Sequence, residues 1–197
     1  MVKRTFDIVI SLIGIVILFP LGLFITLVIL AGDRGSVFFS QKRIGQNQQP
    51  FTLYKFRSMT VKLNSDNDNF DAGDQTRVTR IGKILRKTKL DELPQLINVL
   101  RGDMSMVGPR PEIKKWVDVY PRQWAFVLTV KPGITDNAAI LFRNEEEILA
   151  RASNPDMHYK EIILPAKLSI YSDYIRNHSF KGDILILIKT FLTVIKK

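Results

Sequence analysis

Residues 8–32 read IVISLIGIVILFPLGLFITLVILAG and hold no charged side chain. At 1.5 Å per residue a straight helix of that length spans about 37 Å, more than the ~30 Å hydrocarbon core of a bilayer. A secretory signal peptide fits poorly, because the apolar part is too long and no small-x-small cleavage site precedes Asp33. Pro20 sits near the middle of the run, with Gly14 and Gly22 on either side. A proline there removes one backbone hydrogen bond and kinks the helix. Lys3 and Arg4 precede the run, and Arg34, Lys42 and Arg43 follow it. The positive-inside rule then puts both ends on the cytoplasmic side. A segment that enters one leaflet, bends at Pro20 and returns meets both conditions. A kinked spanning helix tolerates the proline equally well, so the residues alone leave the two open.

The rest of the chain is basic. Its 197 residues carry 29 Lys+Arg against 19 Asp+Glu, a formal charge of +10, with 46% hydrophobic residues and no cysteine. A disordered basic tail is excluded, since such tails are poor in Leu, Ile, Val and Phe. The missing cysteine removes disulfides, thiolate catalysis and cysteine-ligated zinc or iron–sulfur sites. With only His158 and His178, a multi-histidine metal centre is also a poor fit. A chain both basic and greasy suits an anionic membrane or an anionic lipid substrate.

Beyond the apolar run the pattern is that of a mostly helical α+β domain. Ser36–Gln41 and Phe51–Arg57 alternate apolar and polar around Gly45 and Pro50, which predicts a β-hairpin. Residues 64–75 form a turn-rich polar stretch with Asp66, Asp68, Asp71 and Asp74. No glutamate closes it as a calcium loop requires, so it reads as a solvated loop. Helical spacing returns from Thr76 to about Leu90, again from Leu93 to Leu100 before Gly102, and over 145–152 and 158–177. The C-terminal stretch DILILIKTFLTVIKK predicts an amphipathic helix suited to a bilayer interface or to packing on the domain. The expected division is a membrane segment, 1–33, and a membrane-associated catalytic domain, 34–197.

Charge concentrates between Thr76 and Lys115, where ten Lys/Arg face four Asp/Glu. Asp91 and Glu92 stand side by side inside that basic stretch. Such a pair could hold a divalent metal, supply a nucleophile, or both, while the cations serve anionic oxygens such as those of a diphosphate. The alternative is structural: Asp91 as an N-cap, Glu92 complementing the helix dipole and Pro94 in the first turn. Gly108-Pro109-Arg110-Pro111 reads as a turn, and Met104 and Met106 as packing residues.

The stretch from Lys89, KLDELPQLINVLRGDMSMVGPRPE, resembles the signature of the bacterial sugar transferases, the monotopic polyprenyl-phosphate phosphoglycosyl transferases. Gln41–Gly45, Tyr54–Met59, Lys131–Thr135 and the Tyr171, Tyr174, Asn177, Ser179, Phe180 pattern extend the likeness over nearly the whole chain, which is similar to the minimal form without an extra N-terminal membrane bundle. The resemblance implies Mg²⁺-dependent transfer of a sugar-1-phosphate from a nucleotide sugar, usually a UDP-sugar, to undecaprenyl phosphate. It implies Asp91 as the nucleophile of a covalent phosphosugar intermediate, with Glu92 binding Mg²⁺ or activating the lipid phosphate. Lys55, Arg86, Arg110 and Arg143 fall where the family keeps active-site cations. A re-entrant membrane segment, interfacial helices, the cytoplasmic face of the bacterial inner membrane and a role in starting glycan assembly also follow from the likeness, which leaves a homodimer open.

After Lys-Pro-Gly-Ile-Thr many members continue with Gly and then Val-Asn-Gly-Arg-Asn. Here Asp136–Phe142 replace that stretch, Arg143-Asn144 remain, and Glu145-Glu146-Glu147 follow as an expected helix start. Two other functions compete: a membrane-tethered binder of anionic lipid or nucleic acid, and a Mg²⁺-dependent phosphohydrolase. No aromatic-and-basic nucleic-acid module is present, so no nucleic-acid partner is expected.

Overall fold

The computed structural model describes residues 2–32, 35–60 and 76–195, with no account of the side chain at 195; the polar loop expected at 64–75 lies outside the described residues. The described chain is mostly helical. It opens with α1, Val2–Gly32, a single continuous helix that passes through Pro20. The helix–break–helix expected there does not occur as an interruption: the missing proline N–H costs one bond, while the neighbouring turns keep theirs. Lys3, Arg4, Asp7, Ser11, Gly14, Leu21, Ile25 and Ile29 turn inward at three- and four-residue spacing, and Val9, Leu12, Val16, Phe19, Leu23, Phe24, Leu27 and Leu30 stay exposed. One face of α1 therefore docks along its length and the other is an apolar strip.

The polar residues near its start explain the docking. Arg4 donates from Nη1 to the Val99 carbonyl at 2.6 Å and from Nη2 to that of Leu100 at 2.9 Å. The buried Asp7 accepts from the Met106 amide at 3.0 Å. Lys3 reaches the Val107 carbonyl at 2.9 Å and Asp183 at 2.5 Å. At the other end Ile25 and Ile29 pack with Phe56 and Leu85 in an apolar cluster. Both ends of α1 thus rest on the same globular body.

Strands β1, Phe38–Ile44, and β2, Pro50–Phe56, form the expected antiparallel hairpin in the register Phe38 opposite Phe56 and Ile44 opposite Pro50. Helix α2, Arg80–Thr88, is capped by Thr79, whose hydroxyl accepts from the Gly82 amide. It ends at Lys89, which takes the left-handed conformation at φ 59° and reverses the chain. A 3₁₀ turn, Leu90–Glu92, leads into α3, Gln95–Arg101, which stops at Gly102 with φ 93°. The hairpin, α3 and the following strand share a small core of Leu53, Val99 and Met104.

The sequence pattern did not reveal the second sheet, a parallel pair of β3, Ser105–Val107, and β4, Gly133–Thr135. Three-residue strands are too short to show a period. Between them lie α4, Lys114–Val117, and α5, Pro121–Val127; after them come α6, Asn137–Leu141, α7, Glu145–Arg151, and α8, Pro155–His158. A π turn at Tyr159–Ile163 joins α8 to α9, Leu164–Asn177, and α10, Phe180–Ile195, closes the fold. The largest core lies among these helices, around Trp116, Trp124, Tyr159, Leu164 and Tyr171. Helix α10 lies beside β3, β4 and α6, with Leu185, Ile188, Phe191 and Leu192 exposed.

Candidate active site

The reversal at Lys89 places Asp91 and Glu92 where β2 and α3 meet, both more than 90% buried. Asp91 is not a helix cap. The cap position of α3 is Pro94, and no side chain caps that helix. One oxygen of Asp91, Oδ1, is buried without a hydrogen-bond partner. Burial pushes its carboxyl above the ordinary value, against the pull of Lys55 and with repulsion from Glu92.

Glu92 is the opposite case. Lys55 Nζ, near the end of β2, lies 3.0 Å from its Oε1. Arg110 grips both oxygens, Nη2 on Oε1 and Nη1 on Oε2 at 3.3 Å. Burial alone would push Glu92 up, but Arg110 and Lys55 outweigh it and hold the carboxyl well below its usual range. Lys55 in turn is lowered by burial, only partly offset by Glu92. The two acids are therefore divided by environment: Glu92 is a clamped anion, and Asp91 keeps an unsatisfied oxygen.

Arg110 owes its position to the second sheet. The Gly108 amide donates to the Thr135 carbonyl at 3.1 Å, and the Gly133 amide to that of Pro109 at 3.0 Å. The two strands come so close that a Cβ on Gly133 would lie 2.1 Å from the Gly108 nitrogen. From the other side Glu112, 4% exposed, takes Arg43 Nη1 at 3.1 Å and a hydrogen bond from the Tyr159 hydroxyl, while Arg43 also donates to the Pro111 carbonyl at 3.2 Å. Glu112, Arg43 and Tyr159 were not among the expected site residues. The one signal in the sequence was a glutamate following two prolines within a basic stretch.

The other expected cations sit differently. Arg86 on α2 bonds Glu146 of α7 at 2.6 Å, and Arg143 lies half-buried in the turn between α6 and α7. Asp136, in the segment that departs from the family pattern, caps α6 through Oδ1 to the Ala139 amide at 2.8 Å. Burial raises its carboxyl despite Arg110 and Lys167 nearby. The three glutamates do start a helix, α7.

Residues 1–197 match the family model described as bacterial sugar transferase. The chain belongs to the bacterial sugar transferase family. It is 36% identical, over 98% of its length and 44% of the other protein, to a UDP-N-acetylgalactosamine-undecaprenyl-phosphate N-acetylgalactosaminephosphotransferase of Aeromonas hydrophila. It is 34% identical to the exopolysaccharide production protein ExoY of Rhizobium meliloti, over 98% of this chain and 85% of that one. The undecaprenyl-phosphate galactose phosphotransferase of Salmonella typhimurium is 34% identical over 99% of this chain and 40% of its own. The chain thus spans less than half of the Aeromonas and Salmonella relatives.

Proposed function

We propose that this sugar transferase moves a sugar-1-phosphate from a UDP-sugar to undecaprenyl phosphate through a covalent intermediate on Asp91, at the start of a bacterial glycan. The observation that carries the reading is the contrast within the dyad. A buried carboxylate oxygen with no partner stands beside a carboxylate that holds two cations in place. An unsolvated carboxylate is a stronger nucleophile than one in water, and nearby cations offset charge on the group it attacks.

In the first step an Asp91 oxygen forms a bond to the phosphorus that bears the sugar. The bridging P–O bond breaks and UMP leaves with the electron pair. In the second step a phosphate oxygen of the lipid attacks the same phosphorus, the bond to Asp91 breaks, and the carboxylate is regenerated. The acceptor phosphate is largely dianionic near neutral pH and needs no base. Glu92 acts by holding Lys55 and Arg110 toward the phosphates, and Arg86 and Arg143 supply further positive charge.

The free Asp91 oxygen also suits a hard divalent cation, whose other ligands would be phosphate oxygens and water. Glu92 is a weaker candidate ligand, because both of its oxygens already accept from cations. Mg²⁺ bound there would supply charge neutralisation between a carboxylate and an anionic diphosphate.

Both ends of α1 dock on one body, which supports a protein seated on one leaflet of the inner membrane with its catalytic domain in the cytoplasm. The exposed strips of α1 and α10 would enter the lipid, the former as an unbroken helix lying in the plane of the leaflet. A panel of UDP-sugars, assayed for UMP release with undecaprenyl phosphate as acceptor, tests the reading. A lipid-linked sugar phosphate is the expected product, formed by the wild type and not by Asp91→Asn. Free sugar phosphate would instead make the protein a hydrolase. Turnover by Asp91→Asn near the wild-type rate would refute the covalent step.

A further inference from the structure

Arg86 is already paired. Its Nη2 lies 2.6 Å from Glu146 Oε1, in the first turn of α7. Burial pushes the Glu146 carboxyl up, but Arg86, followed by Lys89 and Lys55, outweighs that and leaves it below its ordinary value. Glu146 therefore sits in the field of the same cations that surround the dyad. The preceding Glu145 bonds Lys167 of α9 at 2.5 Å, so two acids tie the start of α7 to two different helices. The two pairs differ in kind. Lys167 is 4% exposed, whereas the Glu146 side chain is 46% exposed and open to exchange.

A guanidinium fork accepts carboxylate and phosphate oxygens in the same geometry, so the two compete for it. We propose that Glu146 occupies on Arg86 the place of a donor phosphate oxygen, so that the nucleotide diphosphate binds by exchange with Glu146. The return of Glu146 to Arg86 then helps to expel the nucleotide product. Glu146 is thus a determinant of donor affinity and release, and a pair this exposed is weak enough to break in each cycle. The inference rests on the phosphate-binding role proposed above for Arg86.

The test is UDP binding to the full chain in detergent with MgCl₂, measured by calorimetry, together with steady-state UMP release. Glu146→Gln keeps the size and hydrogen bonding of the side chain and removes its charge. It should bind UDP about 2- to 5-fold tighter, the range set by a half-exposed ion pair, and lower both KM and kcat as product leaves more slowly. Glu147→Gln, at the exposed next position, should bind as the wild type does. Arg86→Ala should bind more weakly, and adding Glu146→Gln to it should bring no further gain.

Unchanged or weaker binding by Glu146→Gln, with Arg86→Ala impaired, would overturn the inference and leave the pair a structural tether. A gain that persists without Arg86 would overturn it as well, since Glu146 would then act by general repulsion. Arg86→Ala binding as tightly as wild type would remove both the exchange and the phosphate role of Arg86. Failure of the functional reading itself looks different: the wild type would release UMP from no UDP-sugar.

Discussion

Replacing Glu92 by Gln removes one charge from a buried cluster of three. The neutral amide keeps one acceptor oxygen and turns an NH₂ group toward Lys55 or Arg110, which then face each other with the bonded carboxylate gone and only Asp91 and Glu145 as more distant acids. Removing one partner from a buried ion pair costs about 3–5 kcal/mol. The Lys55 and Arg110 side chains are 20% and 29% exposed, so water takes up part of the freed charge. A loss of about 2–4 kcal/mol follows. For a chain of 197 residues this lowers Tm by roughly 5–12 °C. The neighbouring Asp91→Asn should do the reverse, because burial disfavours the charged form of Asp91 and its Oδ1 has no bond to lose. Its Tm should stay level or rise, while its turnover should be lost. Thermal unfolding of the three proteins in one detergent, with UMP release measured on the same samples, reads both effects. If Glu92→Gln unfolds within about 2 °C of wild type, or Asp91→Asn falls as far as Glu92→Gln, the assignment of a clamped and a free carboxylate is wrong.

Glu92 also predicts a pH dependence. Its folded carboxyl lies well below the unfolded value of about 4.3, so its stabilisation is complete above that value and is lost as pH falls through the folded one. The Tm gap between wild type and Glu92→Gln should therefore hold from neutral pH to about pH 5 and narrow only in stronger acid; a gap that closes near pH 6 would exclude Glu92 as its source. Gly133→Ala should force β3 and β4 apart, because its Cβ would lie 2.1 Å from the Gly108 nitrogen. Loss of kcat by at least about tenfold, read with Tm, tests whether this strand contact positions Arg110. Removing divalent cations with EDTA should stop UMP release, and Mg²⁺ should restore it; full activity in EDTA would exclude a metal role. The cysteine-free chain allows labelling at single introduced cysteines. Val2→Cys and Ser36→Cys should both react with an impermeant maleimide in inverted vesicles and not in intact cells; labelling at position 2 from outside would make α1 a spanning helix.

The helices were legible wherever they run long and one-sided. The hairpin, α2, α7, α9 and α10 stand close to where periodicity and turn residues put them, because those signals are local. Helix α1 was legible as an apolar segment, but its unbroken course through Pro20 was not. Whether a helix continues through a proline depends on what the neighbouring turns pack against, here Leu96 beside Gly14 and Phe56 beside Gly22. The β3–β4 pair escaped detection because its partners lie 28 residues apart in the register of Ser105 with Gly133.

The site divides in the same way. Two adjacent acids within a basic stretch are a statement of composition and order, and the family likeness rested on the whole stretch from Lys89 and the motifs on either side of it. That Asp91 carries the unsatisfied oxygen while Glu92 is saturated could not be read from two neighbouring letters. Their difference comes from which cations reach each carboxylate: Lys55 from β2, and Arg110 from a turn strapped by β4 and braced by Glu112. Arg86 shows the limit most clearly. Its charge was plain in the sequence, but its pairing with Glu146, 60 residues later, exists only once the fold brings the two side chains within 2.6 Å. Local residue order determines which groups a chain can present; burial and long-range pairing decide which of them are left free to react.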